Sequence, residues 1–91
     1  MAHADDAALQ PLLPLLRQLR EIRGLREMKN GIFYLKGTAF LHFHVHDAAL
    51  VADLKKAGGS GFDRYQVGTP PQQRKLVEDA RRRVERINDS D

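Results

Sequence analysis

Ile32-Phe33-Tyr34-Leu35-Lys36-Gly37-Thr38-Ala39-Phe40-Leu41-His42-Phe43-His44-Val45-His46 is the stretch that decides the fold. β-Branched and aromatic residues crowd both halves and Lys36-Gly37 interrupts them, so it reads as two strands, 32–35 and 38–45, joined by a tight loop. Loop length then decides which face is buried, because a one-residue slip turns every side chain over. A two-residue loop, Lys36-Gly37, pairs Leu35 with Thr38 and Phe33 with Phe40, and sets His42 and His44 on the face of Phe33 and Leu35. A three-residue loop, Leu35-Lys36-Gly37 with Gly37 left-handed in a bulge, collects Phe33, Ala39, Leu41, Phe43 and Val45 on one face. It leaves Ile32, Tyr34, Phe40, His42 and His44 on the other. The first of these faces is uniformly apolar, so the bulged hairpin is the expected one, with helices packed against that face.

Toward the N-terminus, Lys29-Asn30-Gly31 is a turn, and 25–28 has no clear assignment. Leu12, Leu15, Leu16, Leu19 and Ile22 recur at spacings of three and four, the stripe of an amphipathic helix starting at Pro11 or Pro14 and stopping at Gly24. Arg17, Arg20 and Arg23 lie on its other side. Residues 1–9 are small, acidic and aperiodic, and are expected to fray.

Toward the C-terminus, 47–59 has two readings. As a helix, Asp47 caps it and Gly58 stops it. As a strand, 50–55 leads into the loop Ala57-Gly58-Gly59-Ser60-Gly61 and pairs with 62–67. That loop lacks the strand-to-helix setting of a phosphate-binding loop. Thr69-Pro70-Pro71-Gln72 is a capping box opening a helix over 69–88, whose apolar stripe is Leu76, Val77, Ala80, Val84 and Ile87. Residues 88–91 are expected to fray. The expected fold is a single α+β domain over 1–91, in the order α-β-β-β-β-α: an antiparallel sheet of about four strands flanked on one face by the N- and C-terminal helices, with 48–57 strand or helix.

Gly24-Leu25-Arg26-Glu27, Phe33-Tyr34-Leu35-Lys36-Gly37-Thr38-Ala39-Phe40 and Ala52-Asp53-Leu54-Lys55 together resemble the YjbR/MmcQ-type small domains, over about residues 15–67. Those domains carry a helix, a glycine-hydrophobic-acidic stretch, a K-G-x-x-F hairpin and a third strand ending in lysine, in a CyaY-like α+β sandwich. The chain departs from them in having no tryptophan and in its histidine-rich strand. Histidine followed by Ala-Asp-Leu is also similar to the luciferase-type small domain of bacterial hypothetical proteins. Either resemblance implies that 50–55 is a strand, and neither supplies a catalytic set.

The composition excludes several functions. Ninety-one residues make one small domain. No apolar run approaches the roughly 20 residues of a membrane span, and the first residues do not form a secretory signal, so the cytoplasm is the expected compartment. With no cysteine, disulfides, thiolate catalysis, Fe–S clusters and cysteine-based zinc sites are excluded. Serine is scarce, which argues against a serine triad. Fifteen basic against 12 acidic residues, a net charge of +3, permit contact with nucleic acid without arguing for it. Arg81, Arg82, Arg83 and Arg86 are spread around the last helix among acids, in pairs such as Asp79–Arg82 and Asp79–Arg83, so a solvated helix face is the plainer reading and nucleic-acid binding is not expected.

His42, His44 and His46 are the constellation that stands out. At i, i+2, i+4 on a strand they point the same way, with neighbours ~6.5–7 Å apart. Two of them can share one zinc or nickel ion. The outer pair lies too far apart, so a third ligand must come from a neighbouring strand, with Asp47, Asp53 and Asp63 as candidates. The plainer reading makes these histidines the polar positions of an alternating strand, partly covered by Tyr34 and Phe40; no cofactor and no stoichiometric metal is expected. Acid–base catalysis by one of them, with Tyr34 or Tyr65 supplying a hydroxyl and Arg64 an anion contact, needs an orienting partner. The expected function is therefore a non-enzymatic binding module using His42, His44, His46, Tyr34 and Phe40. The rivals are a metal- or histidine-dependent enzyme on the same strand and weak nucleic-acid association through the basic helices. The face that carries the histidines also carries apolar residues, which points to a weak homodimer through it.

Overall fold

A computed structural model describes residues 2–89. The chain runs through β1 (Ala2–His3), α1 (Asp6–Leu9), a 3-10 turn (Gln10–Leu12), α2 (Leu13–Arg20), β2 (Leu25–Lys29), β3 (Ile32–Leu35), β4 (Thr38–His46), β5 (Ala49–Lys55), β6 (Phe62–Gln66) and α3 (Pro70–Asp89). The strands form one antiparallel sheet in the order β2-β3-β4-β5-β6, and β1 pairs with β4 beyond the end of β3. The fold is α+β, with both helical segments on one face, as expected from the two amphipathic stripes. The edge strand β2 extends the sheet where the sequence showed no pattern. Its burial alternates only weakly, Leu25 and Glu27 being half-buried and the other residues exposed, and the inward positions are not uniformly apolar, so no hydrophobic period marks it.

The β3–β4 hairpin combines the two loop geometries. Lys36 and Gly37 form a two-residue turn, with φ of 53° and 80°, and Leu35 pairs with Thr38. One extra residue then enters β4 further along: Tyr34 faces Ala39, but Phe33 faces Leu41. The expected three-residue loop is corrected, because the bulge sits at Phe40, within the strand, instead of in the turn. From Leu41 onward the expected parity holds. Phe33, Leu41 and Phe43 are buried toward the helices, whereas Ile32 and His42 pair on the opposite face. The bulge also turns Phe40 into the core and Ala39 out of it, the reverse of what was expected of both. Val45 keeps the core-side parity but is 38% exposed, which corrects its expected burial.

The remaining expected core residues, Leu16, Leu19, Ile22, Leu76, Val77, Ala80 and Val84, join one buried cluster with Leu54 and Ala52 from β5. The segment 47–59 is strand, not helix, despite its helix-forming composition. Asp47 and Ala48, with φ of 51° and 62°, make a two-residue turn between His46 and Ala49. Pairing on both edges and burial of Val51, Ala52 and Leu54 override local propensity.

The expectation that 1–9 fray is corrected over 2–9. Ala2 and His3 pair with Val45 and His44. Asp5 caps α1 by accepting from the Ala8 N–H at 2.8 Å. Leu9 enters the core beneath Gly31, so closely that a Cβ added to this glycine would lie 2.8 Å from Leu9 Cδ1. At the other end α3 continues through Asn88 and Asp89, which corrects the expected fray over those two residues; 90–91 lie outside the described residues. The capping box forms as read: Thr69 Oγ1 accepts from Gln72 N–H, and Gln72 Oε1 accepts from the N–H groups of Thr69 and Gly68.

Candidate functional site

The helix-free face of the sheet carries a row of directly opposed residues across four strands: Ile32, His42, Asp53 and Arg64. Opposed side chains on one face sit ~4.5–5.5 Å apart at Cβ, so the register itself assembles a histidine, a carboxylate and a guanidinium. His44, two residues along β4, shares the face. Its Nε2 reaches Asp53 Oδ2 diagonally at 2.8 Å. Arg64 donates from Nε to Asp53 Oδ1 at 3.0 Å and from Nη2 to Oδ2 at 3.2 Å, engaging both carboxylate oxygens. The rings of His42 and His44 stack with centroids 5.3 Å apart, and Phe62 sets its edge on His42 at 5.2 Å.

His44 and Asp53 are only 2% and 9% exposed. Burial by itself pushes the Asp53 carboxyl up, but the hydrogen bonds from Arg64 and His44 outweigh it and hold the group below its ordinary value. Asp53 is therefore an anion fixed in place. His44 has one nitrogen tied to that anion, while its Nδ1 is buried with no hydrogen-bond partner among the described residues. His44 therefore presents no exposed nitrogen for proton exchange with a substrate.

A groove of about 680 Å³ lies beside this cluster, with Ile32, Tyr34, Ala39, His42 and Phe62 among its lining and Met28 at its margin. Met28 and Phe62, both large apolar side chains, are 58% and 40% exposed. Asp6, Lys29 and Asn30 also line it.

The structure thus divides the residues singled out from the sequence. Tyr34 and His42 face the groove, and His44 lies buried behind it. His46 is exposed in the turn region, its Nε2 3.4 Å from the Asp47 carboxylate. Phe40 belongs to the core and is withdrawn from the binding set. Of the three candidate third ligands only Asp53 meets His42 and His44; Asp47 reaches His46 alone. Asp63 lies on the helix side, 2.9 Å from Arg83. Tyr65 is also on that side, donating to Asp79 at 2.6 Å; burial and this carboxylate push its hydroxyl up to about 12. Tyr65 and the histidines are therefore not one site. Sequence reading missed Arg64 as the partner of Asp53, and missed Phe62 and Met28. Strand parity counted from the 56–61 loop contains the signal for Arg64, since it places opposite charges across β5 and β6.

Part of the basic set on the helices is paired within the fold. Arg20 pairs with Glu27 at 2.6 Å and Arg82 with Asp79 at 3.2 Å. The expected Asp79–Arg83 pair is replaced: Arg83 turns to Asp63, to the carbonyls of Leu54 and Lys55 and to the Tyr65 hydroxyl. Lys75 takes its place on Asp79 at 3.2 Å. Among the described residues no helix is long and apolar enough to cross a membrane. No family model matches the chain, and no curated protein and no solved structure shows significant similarity to it.

Proposed function

We propose that this chain is a non-enzymatic, cytoplasmic binding module that works through the helix-free face of its sheet, and that the partner is a second copy of itself. The observation that carries this reading is the concentration of exposed apolar surface there: Met28 and Phe62 stand beside a groove floored by Ile32, Tyr34 and Ala39. The same patch holds both protruding side chains and a recess, the self-complementarity that a two-fold contact requires. A chain this small buries a limited share of its surface alone, so covering such a patch stabilises it. The commitment of Arg20, Arg82 and Arg83 to carboxylates within the fold reduces the cations available for phosphate contacts, which favours a protein partner over nucleic acid.

Sedimentation velocity over a concentration series tests this. The native chain is expected to shift from monomer to dimer as concentration rises, and Met28→Glu and Phe62→Glu to remain monomeric throughout. A native chain that stays monomeric at the highest concentration overturns the proposal, as does a dimer that survives both substitutions.

A further inference from the structure

We propose that His42, His44 and Asp53 form a site for one borderline divalent transition metal, Zn²⁺ or Co²⁺, which Arg64 holds closed in the metal-free chain. One donor atom from each of the three residues lies within 4.8 Å of the other two. Tetrahedral zinc with bonds of ~2.0–2.1 Å needs donors roughly 3.3 Å apart, so the widest separation has to close by at most about 1.5 Å, within reach of side-chain rotation. The register supplies the rigidity: His42 faces Asp53 directly across β4 and β5, and His44 is the next residue on the same side. Two imidazoles and a carboxylate suit a borderline metal and leave a fourth position for water.

Two further observations point to a ligand. His44 is bonded on one side only, Nε2 meeting Asp53 while the buried Nδ1 has no partner among the described residues, so the protein does not fill the polar capacity of this ring. The guanidinium of Arg64 also occupies the place of a cation: it bonds both oxygens of Asp53, and its Nη2 is 3.5 Å from His44 Nε2. Arg64 comes from the outer strand β6 and its side chain is 35% exposed, so it can swing into solvent without disturbing the core. Arg64 and a metal cannot both hold Asp53. Apparent metal affinity is thus reduced by the fraction of time that Arg64 remains in place. A weakly held ion, absent in stoichiometric amount after purification but taken up on addition, follows from this competition. Uptake also weakens in acid, because imidazole nitrogen binds a metal only when unprotonated.

Titration of the full chain with Co²⁺, followed by visible absorption, tests the site. One equivalent is expected to give the intensified absorption of a tetrahedral centre, which Zn²⁺ then displaces. His42→Gln and Asp53→Asn are each expected to abolish the signal, with circular dichroism checking that they fold, and His46→Ala to leave it unchanged. Arg64→Gln is expected to tighten binding about tenfold, in line with the loss of a charge-assisted, partly exposed competitor. That gain cannot arise from misfolding. An octahedral, aquo-like spectrum from the native chain overturns the proposal. So does a signal that persists in folded Asp53→Asn, one lost in His46→Ala, or unchanged or weaker binding in Arg64→Gln. The metal site stands apart from self-association: a monomeric Met28→Glu chain is expected to bind Co²⁺ as the native chain does.

Discussion

On the helix side of β4, Leu41 and Phe43 are buried among apolar side chains; on the other side, His44 is buried to the same degree beside a carboxylate and a guanidinium. The first kind of burial requires only matching volume, and its stabilisation scales with the area removed from water. The second stabilises only while each polar group keeps its partner, because desolvation must be offset bond by bond. The helix side is therefore expected to respond to lost volume, and the other side to lost charge.

Truncation of the core sets the upper end of that contrast. Phe43→Ala is expected to cost about 3–5 kcal/mol, the range for a buried aromatic whose cavity cannot fully collapse. Urea unfolding checks it, and a cost near 1 kcal/mol would show that the two faces do not differ as described. Next comes the charge on the open face. Asp53→Asn, which preserves shape, is expected to cost about 1–2 kcal/mol, toward the low end for a charged hydrogen bond because Arg64 is partly solvated. Its pH dependence is more diagnostic. In the folded chain the Asp53 carboxyl lies below its ordinary value, so folding favours the ionised form. That contribution is complete above the ordinary carboxylate value of about 4 and is lost as pH falls through the folded-state value. The native chain should lose its advantage over Asp53→Asn across this acid range, and an advantage constant with pH would refute the assignment.

A smaller effect separates crowding from backbone conformation. Gly31 and Gly37 have nearly equal φ, 79° and 80°, but an added Cβ meets Leu9 at 2.8 Å in the first and nothing within 4 Å in the second. Gly37→Ala should cost about 1 kcal/mol from the left-handed conformation alone. Gly31→Ala should cost more, by the strain of displacing Leu9. Equal losses in thermal or urea unfolding would mean that Leu9 does not pack beneath that turn.

Legibility followed the same division. The stripes of α2 and α3, the capping box at Thr69, and the inward set Phe33, Leu41 and Phe43 were readable because a single apolar face imposes its period on the residues that form it. The strand β5, expected over 50–55 and found at Ala49–Lys55, was not readable from propensity, and only the family resemblance favoured strand. Residues 2–9 lacked a signal because their contacts, Leu9 under Gly31 and β1 along β4, are with distant residues. In the candidate site, His42 and His44 were legible by spacing, and Asp53 as one of three options. The removal of Phe40 from the site was not, because one bulge changed its face.

By itself the sequence determined the α+β class, the two packing helices and the alternation that puts Phe43 and His44 on opposite sides of one strand. These are local properties, set by periodicity, caps and turn residues within a few positions of each other. The tertiary structure alone decided where the extra residue of β4 sits, which aspartate joins the histidines and which arginine holds it. Those outcomes depend on strand register between segments far apart in the chain, and register is fixed by the sum of all cross-strand contacts rather than by any one stretch of residues.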